Sequence, residues 1–175
     1  VARVSQGEWK VEVPHALRLD EVGRIARALV QMQLSLAERD RMFERHKSTT
    51  FIAAHMAYLS NDLGRFSKYL DTHPNVFPET AAVLAEYGRQ PRTARAFFIK
   101  YQDRILFGKD SFQPDEFPYY WRTFETADEY FDYYRDYHAF WKLYGMGLPD
   151  AVLKKLYYQN ALRVTPGLPK TGWPQ

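Results

Sequence analysis

The sequence predicts an α/β fold in which short parallel strands alternate with helices. Three brief apolar runs carry this reading: residues 49–55 (Thr49-Thr50-Phe51-Ile52-Ala53-Ala54-His55), 76–80 (Val76-Phe77-Pro78-Glu79-Thr80) and 105–109 (Ile105-Leu106-Phe107-Gly108-Lys109). The first and third are continuously apolar rather than alternating, the pattern of strands covered on both faces. Helix-forming stretches of about 20 residues or more separate successive runs, which suits right-handed strand–helix–strand crossovers.

The remaining elements follow in order. Residues 8–14 alternate and read as a short strand closed by Pro14. Asp20 opens a helix with Val22, Ile25, Ala26 and Leu29 on one face. A helical stretch with Leu34, Leu36, Met42 and Phe43 follows and ends near His46; the division between the two is open. Residues 61–70 form a helix with Leu63, Phe66 and Leu70 inward, and Pro74-Asn75 is a turn. Pro78 weakens the second strand. Residues 81–87 and 91–101 are helical, broken at Gly88 and Pro91. Residues 119–143 read as mostly helix, with Thr126 and Asp128 as caps within it. Pro149 opens a last helix to about Leu162. The Pro- and Gly-rich residues 166–175 read as a frayed tail.

Composition narrows the function classes. The chain of 175 residues is long enough for one sizeable core. A net charge of only +3, with both signs interspersed, argues against a nucleic-acid partner. The absence of cysteine excludes disulfides, thiolate metal ligands and thiol chemistry. No run approaches the length of a membrane span, and residues 1–8 lack an apolar signal core. A soluble, cytoplasmic protein is the expectation.

Aromatic residues crowd positions 117–144. Aromatics with arginine can stack on nucleic acid. Here, however, Arg122 and Arg135 stand among Asp115, Glu116, Glu125, Asp128, Glu129, Asp132 and Asp136, which repel a phosphate backbone. The helical spacing of Tyr130, Tyr133, Tyr134, Tyr137 and Trp141 points to core packing or a subunit interface instead.

The three strand runs stop on His55, Glu79 and, just past the third, Asp110. In a parallel α/β sheet all carboxyl ends lie on one face, where such folds place their chemistry. Histidine and carboxylates meeting there can hold a divalent metal or share a proton. Each residue also has a plainer reading. Asp110 caps the next helix or turn, His55 is satisfied by backbone, and Glu79 lies on the surface. Three successive strand ends raise the shared-site reading to even standing. His46 and His73 sit at helix ends, where a cation suits the dipole. His15 is isolated, and His138 reads as packing within the aromatic stretch.

Four stretches carry a family resemblance: "RHKSTTFIAAHMAYLSNDL", "YLDTHPNVFPETAAVLAEYGRQPRTARAFFIKYQDRILFGKDS", "RTFETADEYFDYY" and "YGMGLPDAVLKKLYYQNALRV". The combination of a strand-end His, Phe-Gly-x-Asp after Tyr-x-Asp-Arg, and a closing Tyr-x-Asn-Ala is fairly specific. From about residue 34 the chain resembles the C-terminal half of amidohydrolase-related (amidohydrolase 2) proteins, metal-dependent TIM-barrel hydrolases and related decarboxylases. The resemblance implies a partial (β/α)8 TIM barrel with about three parallel strands (49–55, 76–80, 105–109), flanking helices and a helical C-terminus. It implies that residues 31–165 are the C-terminal half of the barrel, with 1–30 unassigned.

The resemblance also implies roles. His55 matches the histidine ending the sixth barrel strand, a metal ligand or a proton-transfer group beside the metal. Asp110 matches the aspartate ending the eighth, which binds the metal and accepts a proton from the nucleophilic water. Glu79 and Arg122 are candidates for the substrate pocket. Asn160 and Ala161 match the structural closing helix. The metal is divalent, zinc by preference, and its site is incomplete here. The family's first-strand His-x-His and fifth-strand histidine are absent, and no His-x-His occurs in the sequence. Where an aspartate commonly ends the seventh strand, this chain has Pro78-Glu79.

A closed barrel needs eight strands. The expectation is therefore a part of a metal-dependent hydrolase of C–N or C–O bonds in a small molecule, inactive alone. It would pair as a homo-oligomer or with a complementing N-terminal half. One alternative is a metal-dependent decarboxylase of a small aromatic acid. Another is a non-catalytic half-barrel serving as an oligomerisation or interaction module.

Overall fold

Asp20 begins the first helix as its side chain dictates. Its Oδ1 accepts a hydrogen bond from the Gly23 N–H at 3.1 Å, satisfying one of the donors that a helix leaves unpaired at its start. In this computed structural model, which describes residues 12–137 and 139–174, α1 (Glu21–Arg45) runs unbroken for 25 residues and closes at His46. The two expected helical stretches are thus one. Gly23 leaves room for the backbone of Arg18, whose carbonyl a Cβ would strike. The Arg27 guanidinium ties the preceding segment to the helix through the Ala16 and Arg18 carbonyls. Residues 12–14 form no strand, and residues 8–11 of the expected strand lie outside the described residues. Val1–Thr49 is one compact unit and Thr50–Gln175 a second.

The second unit is a helix-rich α/β assembly with one small parallel sheet. Strand β1 (Phe51–Ala53) pairs with β2 (Val76–Pro78) in the register Phe51 with Val76, Ile52 with Phe77 and Ala53 with Pro78. The crossover between them carries α2 (Leu63–Thr72), which buries Leu63, Phe66 and Leu70 as its apolar spacing requires. Asp62 caps α2 by accepting from the Arg65 N–H at 2.9 Å. His73 closes it, just as His46 closes α1. Next come α3 (Leu84–Gly88) and α4 (Pro91–Lys100), the latter with proline in its first turn. Phe66 stacks on Phe97 with ring centroids 5.4 Å apart, and Tyr87 meets Phe98 edge-on at 5.3 Å. These rings form the centre of the core.

The expected third strand is reduced to one parallel bridge, Glu79 with Leu106. Pro78 limits the pairing upstream, and downstream the Gly108 N–H goes to the Thr80 side chain instead of a ladder carbonyl. Proline has no N–H to offer a neighbour, so pairing begins only after Pro78. The Leu106 N–H donates to the Pro78 carbonyl at 2.8 Å and the Thr80 N–H to the Leu106 carbonyl at 3.1 Å. Upstream, a side chain replaces the ladder. The Arg104 guanidinium donates to the carbonyls of Val76, Leu70 and His73.

The expected long helix over 119–143 is also corrected. Helix α5 (Phe117–Glu125) stops at Thr126, which is extended. The carbonyls that a longer helix would use are taken by a remote segment. Met146 N–H donates to Thr123 O at 2.7 Å, Leu148 to Phe124 O at 2.8 Å and Gly147 to Thr126 O at 2.7 Å. Gly145 allows this crossing, because a Cβ there would strike the Thr126 carbonyl. Among the described residues, 126–149 carry only an isolated antiparallel bridge between Phe131 and Leu143. The chain ends with α6 (Asp150–Lys154), a π turn (Lys155–Gln159) and α7 (Asn160–Val164). In the tail, Trp173 stacks on Tyr158 at 5.5 Å.

Candidate functional site

Glu79, next after β2, organises the carboxyl end of the sheet. Its backbone N–H donates to Ala53 O at 3.0 Å, and its carbonyl accepts from the Met56 N–H at 2.9 Å. Its carboxylate accepts two further backbone bonds, from the Ala81 N–H at 2.7 Å and the His55 N–H at 3.3 Å. Gly108 makes the space, since a Cβ at 108 would overlap Glu79 Oε1. The buried Thr80 Oγ1 accepts from the Gly108 N–H at 3.1 Å, binding the third segment to the second.

Immediately after β1 the backbone enters an uncommon turn. His55, Met56, Ala57 and Tyr58 have φ of 53°, 52°, 51° and 55°. Four successive non-glycine residues in the left-handed region carry a cost of about 1–2 kcal/mol each. Met56 is fully buried beneath the turn and Tyr58 is 76% exposed above it. The Tyr58 ring lies 5.4 Å from the His55 ring.

The turn aims His55 at two acceptors. Its Nδ1 lies 3.1 Å from the Ala81 carbonyl and 3.6 Å from Asp110 Oδ1. A carbonyl has no proton to give, so the short contact places the proton on Nδ1. Nε2 then keeps its lone pair in the neutral ring. The Asp110 side chain is half-exposed, and among the described residues it accepts no hydrogen bond from a backbone N–H. It caps no helix. The next helical turn, Pro114–Glu116, begins after Gln113 and has no side-chain cap.

Lys109 points away from this pair. Its side chain is only 6% exposed and pairs with Glu116, whose other oxygen accepts from Arg135 at 3.1 Å. Burial pushes the Glu116 carboxyl up, but Lys109 and Arg135 outweigh it and hold the group below its ordinary range. This triad anchors the loop that carries Asp110. Arg122 is engaged elsewhere. Its Nε donates to Asp128 at 2.7 Å and its guanidinium covers the Phe131 ring at 4.2 Å.

Of the four residues singled out in the sequence, the structure brings His55, Glu79 and Asp110 together and leaves Arg122 apart. The Glu79 carboxylate accepts two backbone amides. Sequence reasoning missed the Ala81 carbonyl, the Thr80 bridge and Tyr58. Only the polar run Glu79-Thr80 hinted at the second. His73 is buried against Tyr69 with ring centroids 4.7 Å apart, and His138 lies outside the described residues. An open cavity of about 590 Å³, against Arg89, Asp132, Trp141 and Lys142 among others, includes none of the strand-end residues.

A divalent ion such as zinc takes about four ligands from imidazole nitrogen and carboxylate oxygen. The His55 imidazole and the Asp110 carboxylate, which has no described backbone partner, are of the right chemical type to serve as two of its ligands. Among the described residues no group of three or more His, Asp or Glu stands ready to hold a metal ion. The pair therefore fits part of a metal site. No helix among the described residues is long and apolar enough to cross a membrane.

A search of curated proteins and a search of solved structures each found no match. The amidohydrolase family model matches residues 19–166, well over half of the chain, and it spans His55, Glu79 and Asp110. It begins within the segment 1–30 that the resemblance left unassigned. The chain belongs to the amidohydrolase family.

Proposed function

We propose that this chain carries the His55–Asp110 portion of a metal-dependent hydrolase site acting on a C–N or C–O bond of a small molecule. One observation supports the reading above the others: at the polar end of a parallel sheet, His55 brings its Nδ1 within 3.6 Å of Asp110 Oδ1, while neither its Nε2 nor the Asp110 carboxylate has another described partner. His55 binds through Nε2 or moves a proton there, and Asp110 binds through its carboxylate and accepts a proton. A divalent ion, zinc in this reading, supplies Lewis acidity and an acidified water when bound. The further ligands come from strands outside the described sheet, so these 175 residues alone turn over little or no substrate. The 55% exposed Ile52 on β1 suits such an addition.

Calorimetric zinc titration tests this. The expected result is weak stoichiometric binding, lost in Asp110→Ala and in His55→Gln. Binding unchanged by both substitutions refutes the assignment. Turnover by the isolated zinc-loaded chain at ordinary enzyme rates, roughly 1–1000 per second, refutes the incompleteness.

A further inference from the structure

We propose that Glu79 is a positioning residue that sets the tautomer and the backbone of His55 at once. The proposal rests on the reading of His55 as a functional group. Three observations carry it. First, both carboxylate oxygens are spent on backbone amides, one from His55 and one from Ala81. The same Ala81 presents its carbonyl to His55 Nδ1. One side chain thus holds the histidine by its own N–H and, through the N–H of Ala81, holds the residue whose carbonyl receives the ring proton. Second, the turn so held is the left-handed run His55–Tyr58, which persists only where its surroundings determine it. Third, the position at 108 is a glycine whose missing Cβ is the space that Glu79 Oε1 fills.

No Lys or Arg pairs with Glu79 among the described residues. Its charge is met by N–H dipoles, as in a carboxylate that organises a turn. A carboxylate is required because it offers two acceptors and no donor. Glutamine offers one acceptor, and its NH₂ group would confront an N–H.

Nitrogen NMR of the His55 ring at about pH 9, where an ordinary histidine is neutral, tests the proposal. Wild-type protein is expected to show the proton on Nδ1. In Glu79→Gln the population moves toward Nε2–H, and amide exchange at Ala81 quickens about tenfold, one lost hydrogen bond. Gly108→Ala, which displaces the carboxylate with Glu79 intact, should give the same ring signature. A wild-type ring protonated at Nε2 overturns the proposal without any variant. So does a ring in well-folded Glu79→Gln that keeps its proton on Nδ1. Neither readout involves a metal. If zinc binding fails while the tautomer shifts as stated, the functional reading falls and the role of Glu79 stands.

Discussion

The two ends of the small parallel sheet use polar residues in opposite ways. At the amino end they are spent on the chain itself. Arg104 is half-buried and donates to three backbone carbonyls. Burial lowers its pKa, yet no carboxylate contacts the guanidinium among the described residues. The Tyr101 hydroxyl donates to the Ser67 carbonyl at 2.9 Å and to Asp71 at 2.8 Å. Asn160 donates to the carbonyls of Gln102 at 2.7 Å and Ile105 at 2.8 Å. At the carboxyl end Glu79 and Thr80 are likewise spent, but His55 Nε2 and the Asp110 carboxylate are not. The Tyr-x-Asp-Arg and Tyr-x-Asn-Ala motifs therefore tie the chain together beneath the sheet, while the strand-end histidine and aspartate are the groups that the proposed function uses.

This contrast can be broken first at its structural end. Arg104→Ala leaves three carbonyls without their donor and should cost about 3 kcal/mol or more, read as a lower urea midpoint. Asn160→Ala removes two hydrogen bonds, one of them buried, and should cost about 2 kcal/mol in the same measurement. The loop beneath Asp110 gives a smaller, pH-dependent effect. The folded state holds the Glu116 carboxyl below its ordinary value. Its contribution is then complete above the unfolded carboxylate pKa of about 4.3 and disappears as pH falls through the lower folded value. The urea midpoint of wild-type protein should fall between about pH 5 and pH 3 more steeply than that of Glu116→Gln. At the chemical end the effect on stability is smallest. His55→Gln and Asp110→Asn should each shift it by less than about 0.5 kcal/mol.

Much of this contrast is legible in the sequence. The caps at Asp20, His46 and His73 follow from local rules, because a cap depends on side chains a few residues away. The meeting of His55, Glu79 and Asp110 follows from strand polarity alone. Two features escape local reading for one reason. The reduction of strand 105–109 to a bridge depends on Pro78 some 28 residues earlier, and on the Arg104 side chain entering where a ladder bond would lie. The end of α5 depends on residues 146–148, which take its terminal carbonyls from more than 20 positions away. Periodicity within 119–143 carries no trace of that competition. The left-handed turn at His55–Tyr58 contains no glycine to announce it. The role of Glu79 was hidden because a strand-end carboxylate looks the same whether it meets a ligand or a backbone amide.

Urea unfolding with and without zinc tests the separation of the two ends most directly. A ligand that binds only the folded state adds about 2.7 kcal/mol at a hundredfold excess over its dissociation constant. Wild-type protein and Arg104→Ala should gain the same zinc increment from different starting stabilities. Asp110→Ala should start near wild-type stability and gain none. An increment retained in Asp110→Ala, or abolished in a folded Arg104→Ala, would contradict the account.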